Sequence, residues 1–231
     1  MLDLRTIALL AEVVIPPREL RAQDIQNLHN ELYSHPRFGY QNFAVGNGGI
    51  QLSNIPMRPG WVSAVNFLPD RIQVREELTG ATIEDFKERF ATILGKAVAR
   101  LNIAQVGAAQ CAVRALTNPR CFPDSRDFLA RGLGRIEAAA MQSFGRPASS
   151  LGYKMFFPQT PSHSNFFALR IESFHEDPRS LFLENVGTFT QIQLPDGLRL
   201  LGNCMQETYD FLQTSTCEFL SRFDRDPAQP L

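Results

Sequence analysis

The chain has 231 residues, of which 44% are hydrophobic and 20% are charged. This composition is typical of a globular protein, and it excludes long disordered, collagen-like and coiled-coil structures. The formal net charge is -1, so no overall positive field would attract nucleic acid or anionic lipid.

The first predicted elements are a strand and a short helix. Residues 6–15 are apolar on both faces, a pattern typical of a central strand that is covered on each side. Glu12 interrupts the run, which favours a buried strand over a signal peptide or a membrane span. Ile25, Leu28 and Leu32 then recur at helical spacing, and Pro36 would end this helix.

Two hairpins and a long helix follow in the prediction. The first hairpin spans 40–53, with Asn47 and Gly48 at its turn, and the second spans 61–78. An amphipathic helix capped by Thr82 precedes a strand at 105–116. If the first hairpin is counted as one pairing element, the order is βαββαβ, which is typical of a ferredoxin-like layer.

The second part of the chain predicts a helix, three strands and a long terminal helix. The helix begins at 124 or 125 and runs to 144, although Gly132 and Gly134 should weaken or bend it. Strand-like runs follow at 151–157, 166–174 and 181–194. The terminal helix has a regular apolar stripe, which predicts a partner surface: Leu201, Met205, Tyr209, Leu212, Thr216, Phe219 and Phe223.

These elements predict one α+β domain over 1–231. It contains a mostly antiparallel sheet, a ferredoxin-like βαββαβ N-terminal part, and a long C-terminal helix packed on the sheet. The segments 1–118 and 119–231 are two candidate related halves of this domain. No apolar stretch approaches the roughly twenty residues that cross a bilayer, so no membrane partner is expected.

Four segments resemble a sporadically distributed family of uncharacterised prokaryotic proteins of about 250 residues. They are AEVVI at 11–15, TGATIEDFKERF at 79–90, CFPDSRDFL at 121–129 and CMQETYDFLQTSTCEFL at 204–220. The chain departs from that family's pattern at 114–118 and at Tyr209 and Asp210. The resemblance spans most of the chain and implies a fold, but it implies no reaction.

The sequence lacks the strong catalytic and cofactor motifs. The motifs GxxxxGK[ST], GxGxxG, HExxH and GxSxG are all missing from the sequence. Their absence argues against a P-loop NTPase, a dinucleotide-dependent oxidoreductase, a zincin and an α/β-hydrolase, respectively. His175, Glu176 and Asp177 lie together, but adjacent residues of a strand point to opposite faces and cannot easily share one ion. We therefore predict a polar turn there, and neither a metal nor a cofactor.

Charged residues inside apolar strands are the first candidate site. Arg114, Arg170 and Glu172 would line an anion-binding or acid/base cleft if they converge in a pocket. The alternative is the outer face of a one-sided sheet, on which these residues form cross-strand salt bridges in water.

Two further candidates lie elsewhere in the chain. Arg131 and Arg135, in the segment RGLGR, would either wrap a phosphate or form a solvated helix junction. Trp61 would be either an exposed anchor or a core residue that closes a hairpin.

The leading functional hypothesis is a non-enzymatic binding or assembly protein that contacts other proteins or itself. Four scattered cysteines without a CxxC pair indicate reduced thiols and therefore a cytoplasmic setting. One alternative is an RNA- or nucleotide-binding protein of the ferredoxin-like type, although the net charge does not support a nucleic acid partner. Another alternative is an enzyme that acts on a small anionic substrate.

Overall fold

The computed structural model describes residues 2–35, 37–46, 48–193 and 197–225. Along this part of the chain the strands are β1 Arg5–Val14, β2 Asn42–Gly46, β3 Gly49–Ser53, β4 Val62–Leu68, β5 Arg71–Glu77, β6 Gln105–Thr117, β7 Gly152–Phe157, β8 Phe166–Ser173 and β9 Leu181–Gln193. The first helices are α1 Ala22–Tyr33, α2 Ile83–Leu101, α3 Ser125–Asp127 with a π-helical turn Phe128–Leu133, and α4 Ala138–Gln142. The terminal helix consists of α5 Gly197–Asp210, a π-helical segment Phe211–Thr216 and α6 Cys217–Ser221.

The strands form one nine-stranded sheet in the order β2-β3-β4-β5-β1-β6-β9-β8-β7. Every neighbouring pair in it is antiparallel. The predicted α+β class, the mostly antiparallel sheet and the long C-terminal helix are therefore confirmed. Both predicted hairpins form, as β2–β3 and β4–β5, although the turn residue Asn47 lies outside the described residues, as does Pro36 after α1.

The ferredoxin-like order of the N-terminal part is not confirmed. Four strands lie between α1 and α2, because the hairpin that was counted as one element supplies two separate strands of the sheet. Moreover, β1 lies between β5 and β6 and is antiparallel to both. The split βαβ order therefore does not describe how the N-terminal strands pair.

The order of elements around the central β1–β6 pair is nearly symmetric. β1 is followed by α1, four strands and α2, whereas β6 is followed by α3, α4, three strands and α5. The strands extend outward from β1 as β5, β4, β3 and β2, and from β6 as β9, β8 and β7. This arrangement groups β6 with the second half, while the predicted boundary at 118 falls after β6. That the halves are related stays a prediction.

Within the described ranges, the helices cover only one face of the sheet. On β1, Leu9 and Val13 are buried on the covered side, while Leu10 and Val14 remain half-buried on the other. The prediction that β1 is covered on both sides is therefore wrong. Leu10 and Val14 are apolar although they lie on the face of the sheet that no described helix covers. The pattern of apolar residues along β1 therefore does not show by itself whether helices cover one face or both.

The long helices form as their sequences predict. The Oγ1 of Thr82 accepts a hydrogen bond from the Asp85 backbone N–H, which caps α2. The terminal helix buries Leu201, Met205 and Leu212 against the sheet. No helix in the described ranges is long and apolar enough to cross a membrane.

Gly187 allows the terminal helix to approach β9 closely. A Cβ at this position would overlap the Thr208 Oγ1, so a larger residue would push α5 away from the sheet. In the same region the Asn185 Nδ2 donates to the Thr208 carbonyl at 3.0 Å. A side-chain hydrogen bond therefore joins strand and helix where no bulky residue fits.

The predicted helix from 124 to 144 is wrong in length. It ends at Gly134, Arg135 adopts a left-handed conformation with a φ of 51°, and α4 begins only at Ala138. A Cβ at Gly134 would overlap the Tyr153 Oη, so a larger residue at this position would have to displace the Tyr153 side chain. Phe144, the last residue of the predicted helix, is 72% exposed.

The burial of the cysteines predicts their reactivity. Cys111, Cys204 and Cys217 are buried, whereas Cys121 is exposed, and none forms a disulfide. Burial raises the pKa of Cys111 and Cys217, and raises that of Cys204 to about 12. Because the thiolate is the nucleophile, a maleimide reagent at neutral pH should label one thiol in the native protein and all four after denaturation.

Peptide mass spectrometry would identify the labelled positions. The Cys121→Ser variant is the control, and we expect it to remain unlabelled until it unfolds. Labelling of Cys204 as fast as Cys121 would contradict the burial of the terminal helix on the sheet.

Candidate functional site

The uncovered side of the sheet, which we call the open face, carries rows of side chains that cross the strands. Neighbouring strands are in register, so alternate residues of each strand lie beside those of the next. Arg114 on β6 is paired with Glu184 on β9, and Glu184 is paired with Arg170 on β8. Together with Glu77 on β5, these three residues form what we call the ion row.

Glu184 joins two of the predicted site residues. Its Oε1 lies 2.6 Å from the Arg114 Nε, and its Oε2 lies 3.5 Å from the Arg170 Nη2. The Glu77 Oε2 contacts the Arg114 Nη1 at 3.7 Å, and the Glu172 Oε1 contacts the Arg170 Nη2 at 3.8 Å. The structure thus brings Arg114, Arg170 and Glu172 together through Glu184, whose role the sequence reasoning missed.

These side chains are ion-paired with one another and partly exposed. About a third of the Arg114 and Arg170 side chains is accessible to solvent. Ion pairs with this exposure typically contribute about 0–1 kcal/mol to stability. The geometry matches cross-strand salt bridges on an outer face, the second interpretation of these residues. Both guanidinium groups of the ion row are paired with carboxylates, although the Arg170 Nε is buried without a hydrogen-bond partner.

A row of amide side chains runs parallel to the ion row. The Gln51 Nε2 donates to the Asn66 Oδ1 at 2.9 Å, the Asn66 Nδ2 to the Gln73 Oε1 at 3.3 Å, and the Gln73 Nε2 to the Glu12 Oε2 at 2.5 Å. Between the two rows lies a depression of about 370 Å³, with Leu10 among the residues that line it. The open face is therefore polar, internally hydrogen-bonded and nearly balanced in charge.

Arg131 and Arg135 lie away from the open face. Their segment follows α3, which packs on the helix-covered side, where the Tyr153 Oη donates to the Leu129 carbonyl at 3.1 Å. The Arg131 Nη2 contacts the Asp127 Oδ2 at 3.4 Å, and both side chains are about half exposed. These two arginines therefore form no common site with Arg114 and Arg170.

Trp61 precedes β4 and lines a separate cavity of about 370 Å³. Below it, the Glu76 Oε1 accepts hydrogen bonds from the Ser63 Oγ at 2.7 Å and from the Arg89 Nη1. Burial raises the pKa of the Glu76 carboxyl, while the Arg89 guanidinium acts in the opposite direction. A carboxylate that is only 3% exposed is thus held on the helix-covered side by a guanidinium.

Sequence reasoning missed Glu76 and Arg89, although one signal was present. Along β5, Ile72, Val74 and Glu76 occupy alternate positions that face the core. A charge at the third of these positions indicates a buried partner, because an unpaired buried carboxylate costs several kcal/mol. The identity of that partner depends on how α2 crosses the sheet.

The edge of the sheet at β7 is unpaired. Among the described residues β7 pairs only with β8. Phe156 is 65% exposed and Phe157 is 38% exposed. The Phe156 ring stacks on Phe166 on the open face at a centroid distance of 6.1 Å, and the Phe157 ring packs edge-on against Phe211 of the terminal helix at 5.0 Å. Exposed aromatic surface therefore borders the free edge on both faces.

Neither a metal-binding cluster among the described residues nor a similar known protein indicates a function for this chain. Within the described ranges, no group of three or more His, Cys, Asp and Glu residues could hold a metal ion. The chain matches no protein-family model and no curated protein. The geometry of the β7 edge, the open face and the Trp61 cavity is therefore the basis for assigning a function.

Proposed function

We propose that the protein is a non-enzymatic assembly protein of the cytoplasm, and that two copies associate through the free edges of their β7 strands. The single observation that carries this proposal is an unpaired, aromatic edge strand, with Phe156 and Phe157 exposed on its two faces. An exposed apolar edge strand is a template for pairing with another strand. The four free cysteines support the cytoplasmic setting.

The arrangement of strands supports an added strand at β7. Four strands extend outward from β1, whereas three extend from β6, so among the described residues no strand lies beside β7 at the position that corresponds to β2. A strand from a second copy would occupy this position. The addition would also cover the apolar side chains that border it.

The backbone of β7 is suited to antiparallel pairing. The Ser173 N–H donates to the Leu151 carbonyl at 2.9 Å, so odd-numbered residues of this segment bond to β8. The backbone groups of Gly152, Lys154 and Phe156 then point to the free edge. If Met155 lies on the two-fold axis, Lys154 faces Phe156 of the second copy, and no two lysines face each other.

Charge favours a second copy over a nucleic acid as the occupant. A net charge of -1 leaves almost no repulsion between copies. On the open face, the charges of Arg114 and Arg170 are already balanced by paired carboxylates, which would repel a phosphate group. This is why we rank self-association above the RNA-binding alternative.

The test is a proline substitution at the free edge. Lys154→Pro removes a backbone N–H that points away from β8, so the fold should persist while pairing with a second copy is lost. We expect sedimentation equilibrium to give a dimer for the wild-type protein and a dissociation constant at least about a hundredfold weaker for the variant, because several edge hydrogen bonds and their packing are lost. Circular dichroism should show the same secondary structure in both.

The matched control lies at the other edge of the sheet. Val45→Pro places the same substitution in the exposed edge strand β2, and we expect this variant to remain dimeric. A monomeric wild-type protein, or a dimeric Lys154→Pro variant, would overturn the proposal.

A further inference from the structure

Lys154 on the free edge strand β7 is a cation without a counter-charge. Its side chain is exposed, and it forms no ion pair with any residue in the described ranges. In the register of the sheet it stands directly opposite Arg170 of β8, which is also positively charged. Because like charges that face each other destabilise a strand pair, Lys154 leaves an uncompensated positive charge at the edge of the sheet.

The charges of the ion row alternate in sign along the row, and Lys154 continues its line onto β7. The row ends with Arg114 on β6, Glu184 on β9 and Arg170 on β8. Glu184 contacts both arginines, and Glu172 contacts the Arg170 Nη2, so these two carboxylates are already engaged. The next position in this line, on a strand added beside β7, is therefore the one from which a new carboxylate would neutralise Lys154.

A second copy of the chain does not supply that carboxylate. Between 147 and 165, Lys154 is the only Asp, Glu, Lys or Arg residue. Pairing of two β7 strands thus provides backbone hydrogen bonds and apolar contacts, but it leaves both lysines without a counter-charge in every register. A strand that carries an acidic residue would complement this edge better than a second copy does.

A carboxylate at that position would lie far from those already on the open face. Glu172 and Glu184 are two and three strands away from an added strand, which corresponds to roughly 10 and 14 Å at a spacing of about 4.8 Å per strand. Charges at these separations are largely screened at physiological ionic strength, where the Debye length is about 8 Å. The attraction to Lys154 therefore outweighs the repulsion.

The other side chains along β7 favour apolar neighbours. Tyr153 and Met155 are partly buried against the core on the helix-covered side, and Phe157 packs there against Phe211. Successive side chains of a strand point to opposite faces of the sheet. An added strand would therefore place apolar residues at alternate positions on the helix-covered side, and its acidic residue between them on the open face.

From this arrangement we infer that the β7 edge binds an extended segment of another protein, in which alternate residues are apolar and one Asp or Glu side chain faces Lys154. The inference rests on the proposed function, because it uses the same free edge. One edge pairs with only one strand at a time. The acidic segment would therefore compete with the second copy and convert the dimer into a monomer with the segment bound.

A synthetic peptide of symmetric sequence tests this pairing. Thr-Val-Thr-Val-Glu-Val-Thr-Val-Thr reads the same in both directions, so its central glutamate can face Lys154 whichever way the strand runs. The control peptide has glutamine in place of this glutamate. We expect the fluorescence anisotropy of the labelled peptides to show saturable binding, with the glutamine peptide about two- to fivefold weaker, because an exposed ion pair is lost.

Variants show whether this preference comes from Lys154. Lys154→Met keeps the length and the apolar stem of the side chain but removes the charge, so we expect it to bind the two peptides equally. Lys87→Met is the control, because it makes the same change in net charge on α2 and should retain the preference. Lys154→Pro should bind neither peptide, because it removes an N–H at the free edge.

Sedimentation equilibrium separates this inference from the proposed dimer. With saturating glutamate peptide, the wild-type protein should sediment as a monomer with the peptide bound. Equal binding of the two peptides by the wild-type protein, no saturable binding, or a preference that persists in Lys154→Met would overturn the inference and leave the proposed dimer intact. A wild-type protein that is monomeric without peptide, yet prefers the glutamate peptide, would overturn the dimer and support the acidic strand.

Discussion

Arg89→Ala is expected to lower the free energy of unfolding by about 3–5 kcal/mol, because it leaves the Glu76 carboxylate buried without its counter-charge. The Glu76 side chain is 2% exposed and that of Arg89 is 15% exposed, so solvent cannot replace the lost partner. Arg89 also lies over the rings of Phe38 and Tyr40, at 5.4 and 5.9 Å from their centroids. Urea denaturation followed by circular dichroism would measure the change.

Arg100→Ala is the matched control for this prediction. Arg100 belongs to the same helix and is also paired with a carboxylate, that of Glu31, but this pair is partly exposed at 31% and 40%. We expect a loss of no more than about 1 kcal/mol. Similar losses in the two variants would show that the Glu76–Arg89 pair is no more important than a surface pair.

Leu201→Ala is the second large effect that we expect. Leu201 is 1% exposed and belongs to the core cluster beneath the terminal helix. Removal of a buried leucine side chain typically costs about 2–5 kcal/mol, since apolar contacts are lost and a cavity remains. Thermal and urea unfolding would both report the loss.

The adjacent residue provides the control. Leu200 is 47% exposed on the same helix, so Leu200→Ala should change the free energy of unfolding by no more than about 0.5 kcal/mol. Equal effects of the two substitutions would mean that the terminal helix does not pack on the sheet through this side.

The β7 edge, the Trp61 cavity and the open face lie in different parts of the protein. The β7 edge lies in the second half and offers aromatic surface to another copy, while the Trp61 cavity lies in the first half. The open face lies on the side of the sheet opposite to Glu76, and its Arg114 and Arg170 are paired with carboxylates. Variants at one site should therefore leave the other two unaffected.

The predictions that were confirmed concern single elements and their immediate neighbours. Thr82 caps α2 because its side chain and the Asp85 N–H are three residues apart, and that contact needs nothing else from the fold. The β4–β5 hairpin forms around Pro69 and Asp70, which join adjacent strands. The stripe of the terminal helix is likewise a local pattern, although it does not show which surface covers it.

The errors concern relations between distant segments. The predicted helix from 124 to 144 ends at Gly134, one of the two glycines expected to weaken it, and the Tyr153 Oη of a later strand lies where a Cβ of residue 134 would be. In the candidate site, the sequence pointed to Arg114 and Arg170 as charges within strands. It could not show that they share Glu184, because that contact requires β6, β9 and β8 to be neighbours in this order.

The sequence by itself therefore determined α2, the terminal helix, the hairpins, the α+β class and the charged positions on the strands. Only the tertiary structure decided the strand order, the open face, the free edge at β7 and the burial of Glu76 beside Arg89. The physical reason is that side-chain periodicity is a property of one element, whereas strand neighbours and buried partners depend on pairings between segments far apart in the chain.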